Sequence, residues 1–227
     1  MAKSHTTPAV EAYLEMTYLM AVEGQSVIGA RLAKSLHVSR PTVTAALKRM
    51  VREGLVKLNE RKEISLTSKG QAIAEFVQRR HCIIERWLTD ELGLGWAISD
   101  EQAHLLEHAM PEVVAERLNE HLGHPQTCPH GNPVPGNVRS IAEANSKFFR
   151  LSDAREGTRV AIARISEYDQ NVAELLNYLG ERGVRPDAQV QITEIAPLQG
   201  PLTLKVGTRF VSLSREVAHH VWARPAE

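Results

Sequence analysis

The chain has 227 residues, 43% of them hydrophobic and 24% charged, with 27 acidic and 27 basic side chains and two cysteines. These values exclude a disordered chain and a disulfide scaffold, and no run approaches the ~18 apolar residues that a membrane span needs. The first residues lead into an amphipathic pattern with no apolar signal core, so the reading is a cytoplasmic protein with no membrane partner.

The zero net charge hides a division. Residues 1–74 carry +5, residues 75–130 carry −6 and six of the ten histidines, and residues 131–227 carry +1. A basic head beside an acidic, histidine-rich middle points to a polyanion partner for the first and a cation for the second.

In chain order, Val10–Val22 has helical apolar spacing and stops near Gly24. A second helix over Val27–Leu36 faces inward with Ile28, Leu32 and Leu36, and His37-Val38 form a tight turn. Ser39 is placed to cap a third helix, with Pro41 in its first turn where the missing N–H costs little. Val43, Leu47 and Met50 mark its inner face; Ser39, Arg40, Pro41, Thr42, Thr44 and Lys48 are assigned to its DNA-facing side. Leu55–Leu58 and Glu63–Thr67 then flank a polar turn containing Arg61 and Lys62. Two helices, a tight turn and a basic hairpin predict a winged helix-turn-helix, its second helix entering the major groove and its wing touching phosphates.

The middle segment predicts a helix capped at Ser99, with Asp100, His104, Glu107 and His108 on one face. An earlier helix adds His81 and Glu85, at i and i+4. Imidazole and carboxylate together suit Mn(II), Fe(II) or Zn(II). His104-Leu-Leu-Glu107-His108 also spells the H-x-x-E-H signature of some zinc proteases, which makes a metallohydrolase the alternative. Four prolines between Pro125 and Pro135 predict an ordered loop. From about Leu151 short β-like runs appear, at 159–165, 189–195, 202–206 and 210–213, around a helical run over 171–179. Four units follow: 1–74, 75–140, a linker at 141–150, and 151–227.

These residues resemble the diphtheria-toxin-repressor family of metal-dependent transcriptional regulators. The resemblance rests on Glu11-Ala-Tyr-Leu, Ser-Arg-Pro-Thr-Val-Thr at 39–44, Leu66-Thr-Ser-Lys-Gly70, Arg80-His81, Glu107-His108 and Gly131-Asn-Pro-Val-Pro-Gly136, in order along the chain. It implies a mainly α protein with a small β domain: winged helix-turn-helix, helical dimerisation domain and C-terminal SH3-like barrel. It further implies a homodimer that binds double-stranded operator DNA when loaded with metal, and neither an enzyme nor a receptor for a small organic ligand.

Carried over by position, the primary metal site involves His104, Glu107 and His108. The iron-type ancillary site corresponds to His81, Glu85, Asp100, Glu167 and Gln170. Manganese-type members with this tail use instead the positions of Glu85, Cys128 and His130 plus an acidic group from the tail, and the Cys-Pro-His-Gly run at 128–131 fits that pattern. Ala12 stands where family members carry a first-helix ligand, and Glu15, one turn on, is a candidate substitute. Ala45 stands where iron-type members have a glutamine near DNA. With no thioether or thiolate in the primary set, Mn(II) is favoured over Fe(II).

Overall fold

A computed structural model describes residues 6–168 and 171–226. The head opens with α1 (Pro8–Val22), α2 (Gly29–Ser35) and α3 (Arg40–Arg52). Pro8 occupies the first turn of α1, and Gly24 turns the chain out of it at φ +71°. Ser39 caps α3 by accepting from the Thr42 N–H at 3.2 Å. Val43, Leu47 and Met50 are buried against Leu14, Leu32, Leu55 and Ile64, so the i, i+4, i+7 stripe is the core face.

The wing is β1 (Val56–Leu58) paired antiparallel with β2 (Ile64–Leu66), in register Val56↔Leu66 and Leu58↔Ile64. Its turn is closed by Asn59 Oδ1 accepting from the Glu63 N–H at 2.9 Å, with Lys62 at φ +59°. Thr67 then caps α4 (Ser68–Arg86) by accepting from the Gly70 N–H. A Cβ at Gly70 would stand 2.0 Å from the Leu55 carbonyl oxygen, so only glycine lets α4 start this close to the wing.

From the wing, α4 runs as one element into the middle of the molecule and continues as a π-helical turn at Trp87–Glu91. Next come α5 (Trp96–Leu106) and α6 (Glu112–His121). The predicted start of α5 is corrected: Gly95 is its N-cap, and Ser99 lies buried inside the helix, where its hydroxyl accepts from Thr89. The proline-rich loop is ordered by Arg79, which donates to Pro135 O, Asn137 Oδ1 and Glu116.

A short helix, α7 (Ile141–Asn145), leads to the tail: β3 (Phe149–Arg150), β4 (Arg159–Ile165), α8 (Val172–Glu181), β5 (Gln189–Ile195), β6 (Leu202–Val206), β7 (Arg209–Leu213), α9 (Arg215–His219) and β8 (Val221–Pro225). The strands form one antiparallel sheet in the order β3-β8-β4-β5-β6-β7. Sheet and α8 bury Ile162, Ile165, Leu176, Leu179, Ile192, Leu204 and Leu213. The expected barrel is corrected to an open SH3-like sheet: among the described residues its edges, β3 and β7, do not pair. The bulge between Ile162 and Arg164 turns the end of β4 towards the proline-rich loop. Among the described residues no helix is long and apolar enough to cross a membrane.

Candidate metal centre

Four parts of the chain meet around α4. His81 and Glu85, one helical turn apart, point from α4 into the same space; they are 3% and 0% exposed. From the end of α5 comes Glu107, also 0% exposed, which accepts from His81 Nδ1 at 2.7 Å. The opposite nitrogen, His81 Nε2, lies 3.4 Å from Glu85 and 3.5 Å from Asp100. His104 Nδ1 and His108 Nε2 approach Glu107 Oε1 at 4.0 and 3.3 Å. From α1, Glu11 accepts from His108 Nδ1 at 2.9 Å, and buried Glu15 stands against Glu107.

On the other side of Glu85 the loop supplies Cys128 and His130 and the tail supplies Glu167. His130 Nδ1 is 3.2 Å from Glu85 and 2.7 Å from Glu167, and the Cys128 thiol donates to Glu167 at 3.4 Å. Each of three groups brings its donor atoms within 4.8 Å of one another: Glu85, Cys128, His130 and Glu167; His81, His104 and Glu107; and His81, Glu85 and Asp100. Glu85 and His81 are each shared by two groups, so the ancillary positions of the iron-type and manganese-type patterns form one continuous cluster here. His108 sits beside it through Glu107 and Glu11. Gln170 lies outside the described residues. Glu11 went unassigned in the sequence, although its spacing of four from Glu15 puts both carboxylates on one face of α1.

The electrostatics are those of a crowded buried acidic cluster. Burial opposes charge on Glu85, but His130 and His81 hold its carboxyl far below the usual range. Burial likewise opposes charge on His81 and His130, yet Glu85 and the other carboxylates raise both imidazoles well above theirs. Burial, reinforced by Glu107, pushes Glu15 well up, and burial with Glu85 pushes Glu167 up. Burial also raises the Cys128 thiol. The upward shifts all favour protons on imidazole, carboxyl and thiol between the crowded carboxylates. Even so, Glu15 Oε1, both Glu85 oxygens, Glu107 Oε1 and His130 Nε2 are buried with no hydrogen-bond partner among the described residues. Buried polar atoms left without a hydrogen bond are costly. They fit a divalent cation that takes oxygen and imidazole ligands.

On the head, Ser39, Arg40, Pro41, Thr42, Thr44 and Lys48 are all exposed, as are Arg61 and Lys62 at the wing tip. Thr42 and Thr44 engage locally, with Ser39 Oγ at 2.7 Å and the Arg40 carbonyl at 3.0 Å.

Comparison with known proteins covers the chain in three parts. Residues 5–64 match the model of the iron dependent repressor N-terminal DNA binding domain, residues 67–136 that of the iron dependent repressor metal binding and dimerisation domain, and residues 149–225 the FeoA domain. The iron-dependent repressor IdeR of Mycobacterium leprae is 36% identical across 93% of this chain and 94% of that protein. The diphtheria toxin repressor of Corynebacterium diphtheriae is 31% identical across 93% and 94%. Among solved structures, the manganese regulator SloR superposes with a TM-score of 0.79 at 25% identity, covering 97% of this chain and all of that one. A manganese-dependent transcriptional repressor in complex with manganese gives 0.80 at 25%, covering 93% and 100%.

Proposed function

The chain belongs to the iron-dependent repressor family, and on that premise we propose how its own residues make a metal-activated repressor, with Mn(II) preferred to Fe(II) as co-repressor. The observation that carries this reading is the set of buried carboxylate and imidazole atoms, several satisfied by no hydrogen bond among the described residues, between α1, α4, α5, the proline-rich loop and the tail. Glu85, Cys128, His130 and Glu167 would hold one ion; His104, Glu107 and His108 would hold another, with His81 alongside and Glu15 in place of the ligand that Ala12 cannot supply. A bound cation supplies the positive charge and directional bonds that protons supply without it.

The protein does the rest by connecting elements. Glu11 and Glu15 belong to the first helix of the head, His81 and Glu85 to the helix that Thr67 ties to the wing, and Glu167 to the tail. With Glu15 drawn onto one ion and Glu85 and Glu167 onto the other, both beside α4, the head would be fixed against the body. In a homodimer, two heads so fixed meet major grooves about one turn, ~34 Å, apart. Exposed Ile98, Leu105, Val113 and Val114 on α5 and α6 supply the apolar surface for that dimer. Mn(II) is favoured because the primary set, His104, Glu107 and His108 with Glu15, offers only nitrogen and oxygen, the one sulfur, Cys128, belonging to the other set.

The metallohydrolase alternative gains no support. A glutamate that activates water must face an accessible substrate, whereas Glu107 is buried and engaged by His81.

The test is fluorescence anisotropy on a pool of promoter fragments, comparing chelated protein with added Mn(II), anaerobic Fe(II) and Zn(II). Competitor-resistant binding that is tightest with Mn(II) is expected. Tight binding with Fe(II) or Zn(II) alone would overturn the metal preference, and equal weak binding in every case would overturn the whole reading. On the operator so found, Arg61→Ala should weaken binding to all sequences alike and reduce the salt-dependence slope by about 1. An unchanged slope would remove the wing from the phosphate contacts.

A further inference from the structure

Away from the cation cluster, the C-terminal end of α1 carries a second buried charged group. Glu23, the C-cap of α1, is 8% exposed and meets the tail. Its carboxylate accepts from Arg164, from Arg150 at 2.7 Å, from the Ser166 hydroxyl at 2.8 Å and from Trp222 Nε1 at 2.9 Å. Both guanidinium groups stack on the Trp222 ring, at 3.8 and 4.4 Å from its centroid. Arg150 also donates to the Glu23 carbonyl. Arg164 reaches Asn132 of the proline-rich loop and Asn145 of α7. One carboxylate thus joins the head to the tail, and its arginine partners add the loop and α7.

The position of Ser166 gives this hub a second consequence. Ser166 and Glu167 are consecutive, and their side chains leave the chain in opposite directions: Ser166 to Glu23, Glu167 to His130 and Cys128. The backbone leading into them is held by Ile165 N–H donating to the His130 carbonyl and Ser166 N–H donating to the His220 carbonyl. Glu167 is thus one peptide away from the contact to Glu23, and through Glu23 from α1.

We propose that Glu23 is a positioning residue that couples the Glu85–Cys128–His130–Glu167 cluster to the placement of the DNA-binding head. The inference rests on reading that cluster as a cation site. Removing the Glu23 charge leaves Arg150 and Arg164 buried and facing a neutral partner, so the segment 164–167 loses its anchor on α1 while every side chain of the cation cluster remains.

By linkage, operator DNA must raise the affinity for metal by the factor by which metal raises the affinity for operator. The experiment therefore measures Mn(II) affinity and stoichiometry of the full chain by chelator competition, with and without operator DNA. It compares wild type, Glu23→Gln, Glu167→Ala and the double variant; if Glu23→Gln fails to fold, Ser166→Ala, which cuts the direct link from Glu23 to the residue beside Glu167 and keeps every charge, stands in with the same fall expected, and a full wild-type enhancement in it would equally overturn the coupling. The expected result is that DNA enhances Mn(II) affinity in wild type, that the enhancement falls about ten-fold in Glu23→Gln and in Glu167→Ala, and that the double variant falls no further. A full wild-type enhancement in the Glu23 variant would overturn the coupling, and so would a loss in the double variant equal to the product of the two single losses. If Glu167→Ala binds as many Mn(II) ions as wild type with unchanged affinity, the cation-site reading itself fails.

Discussion

Exchanging Glu107 for glutamine should raise the Mn(II) concentration needed for half-maximal operator binding by at least ~100-fold while leaving the fold intact. Partners that merely orient a ligand cost roughly 10–100-fold in metal affinity when removed, and Glu107 stands among the donors themselves. It is buried, accepts from His81 at 2.7 Å, and keeps Oε1 without a partner beside His108 and His104. Glutamine has the same shape and can still accept from His81, so packing between α4 and α5 is preserved. It removes the charge that a cation needs, and it can turn an N–H pair towards the space where a ligand oxygen was. Far-UV circular dichroism should therefore match wild type, and operator anisotropy against Mn(II) should shift far to the right. A wild-type midpoint would exclude Glu107 from the metal centre, and a loss of helical signal would make its role one of packing.

What the sequence discloses here depends on how locally each feature is determined. The head is local: the Ser39 cap, Pro41 and the stripe Val43, Leu47, Met50 specify α3, and the polar turn at 59–62 specifies the wing. The pairing of His81 with Glu85 is local too, because a helix puts residues four apart on one face. The expected cap at Ser99 lies one turn inside α5, because Ser99 followed three residues later by Gln102 imitates a capping box in a helix that Gly95 begins. β3, two residues long, is too short for a period-2 pattern to register, and α7 falls where a linker was read. Family resemblance assigned ligand positions, but as alternative sets for different metals. Their fusion through His81 and Glu85 is a product of tertiary packing. Glu23 offered no signal at all: before Gly24 it reads as an ordinary helix end, and its four donors come from residues 150, 164, 166 and 222.

The resemblance includes Gly131, and the structure gives that glycine a purpose that can be tested with a single methyl group. Gly131 has φ +87°, a conformation that costs a non-glycine residue about 1–3 kcal/mol. A Cβ there would also lie 2.3 Å from the Ala163 carbonyl oxygen and 2.9 Å from Arg164 Cα. Both neighbours are backbone of β4, which is anchored here by the pairing of Ile162, Arg164 and Ile165 with β8, so the loop is the side that yields. Moving it breaks the bond from Ile165 N–H to the His130 carbonyl and carries Cys128 and His130 away from Glu167. Gly131→Ala should therefore bind fewer Mn(II) ions than wild type, respond poorly to metal in operator binding, and melt several degrees lower, at roughly 2–4 °C per kcal/mol for a chain of this size. Gly157→Ala is the matched control: its φ of +82° is nearly the same, but nothing lies within 4 Å of the added Cβ. That variant should lose stability through backbone strain alone and keep the wild-type metal response. If the two alanine variants bound Mn(II) equally well, the close approach of loop to β4 would not be what assembles the cluster, and Cys128 and His130 would have to reach Glu85 without the tail.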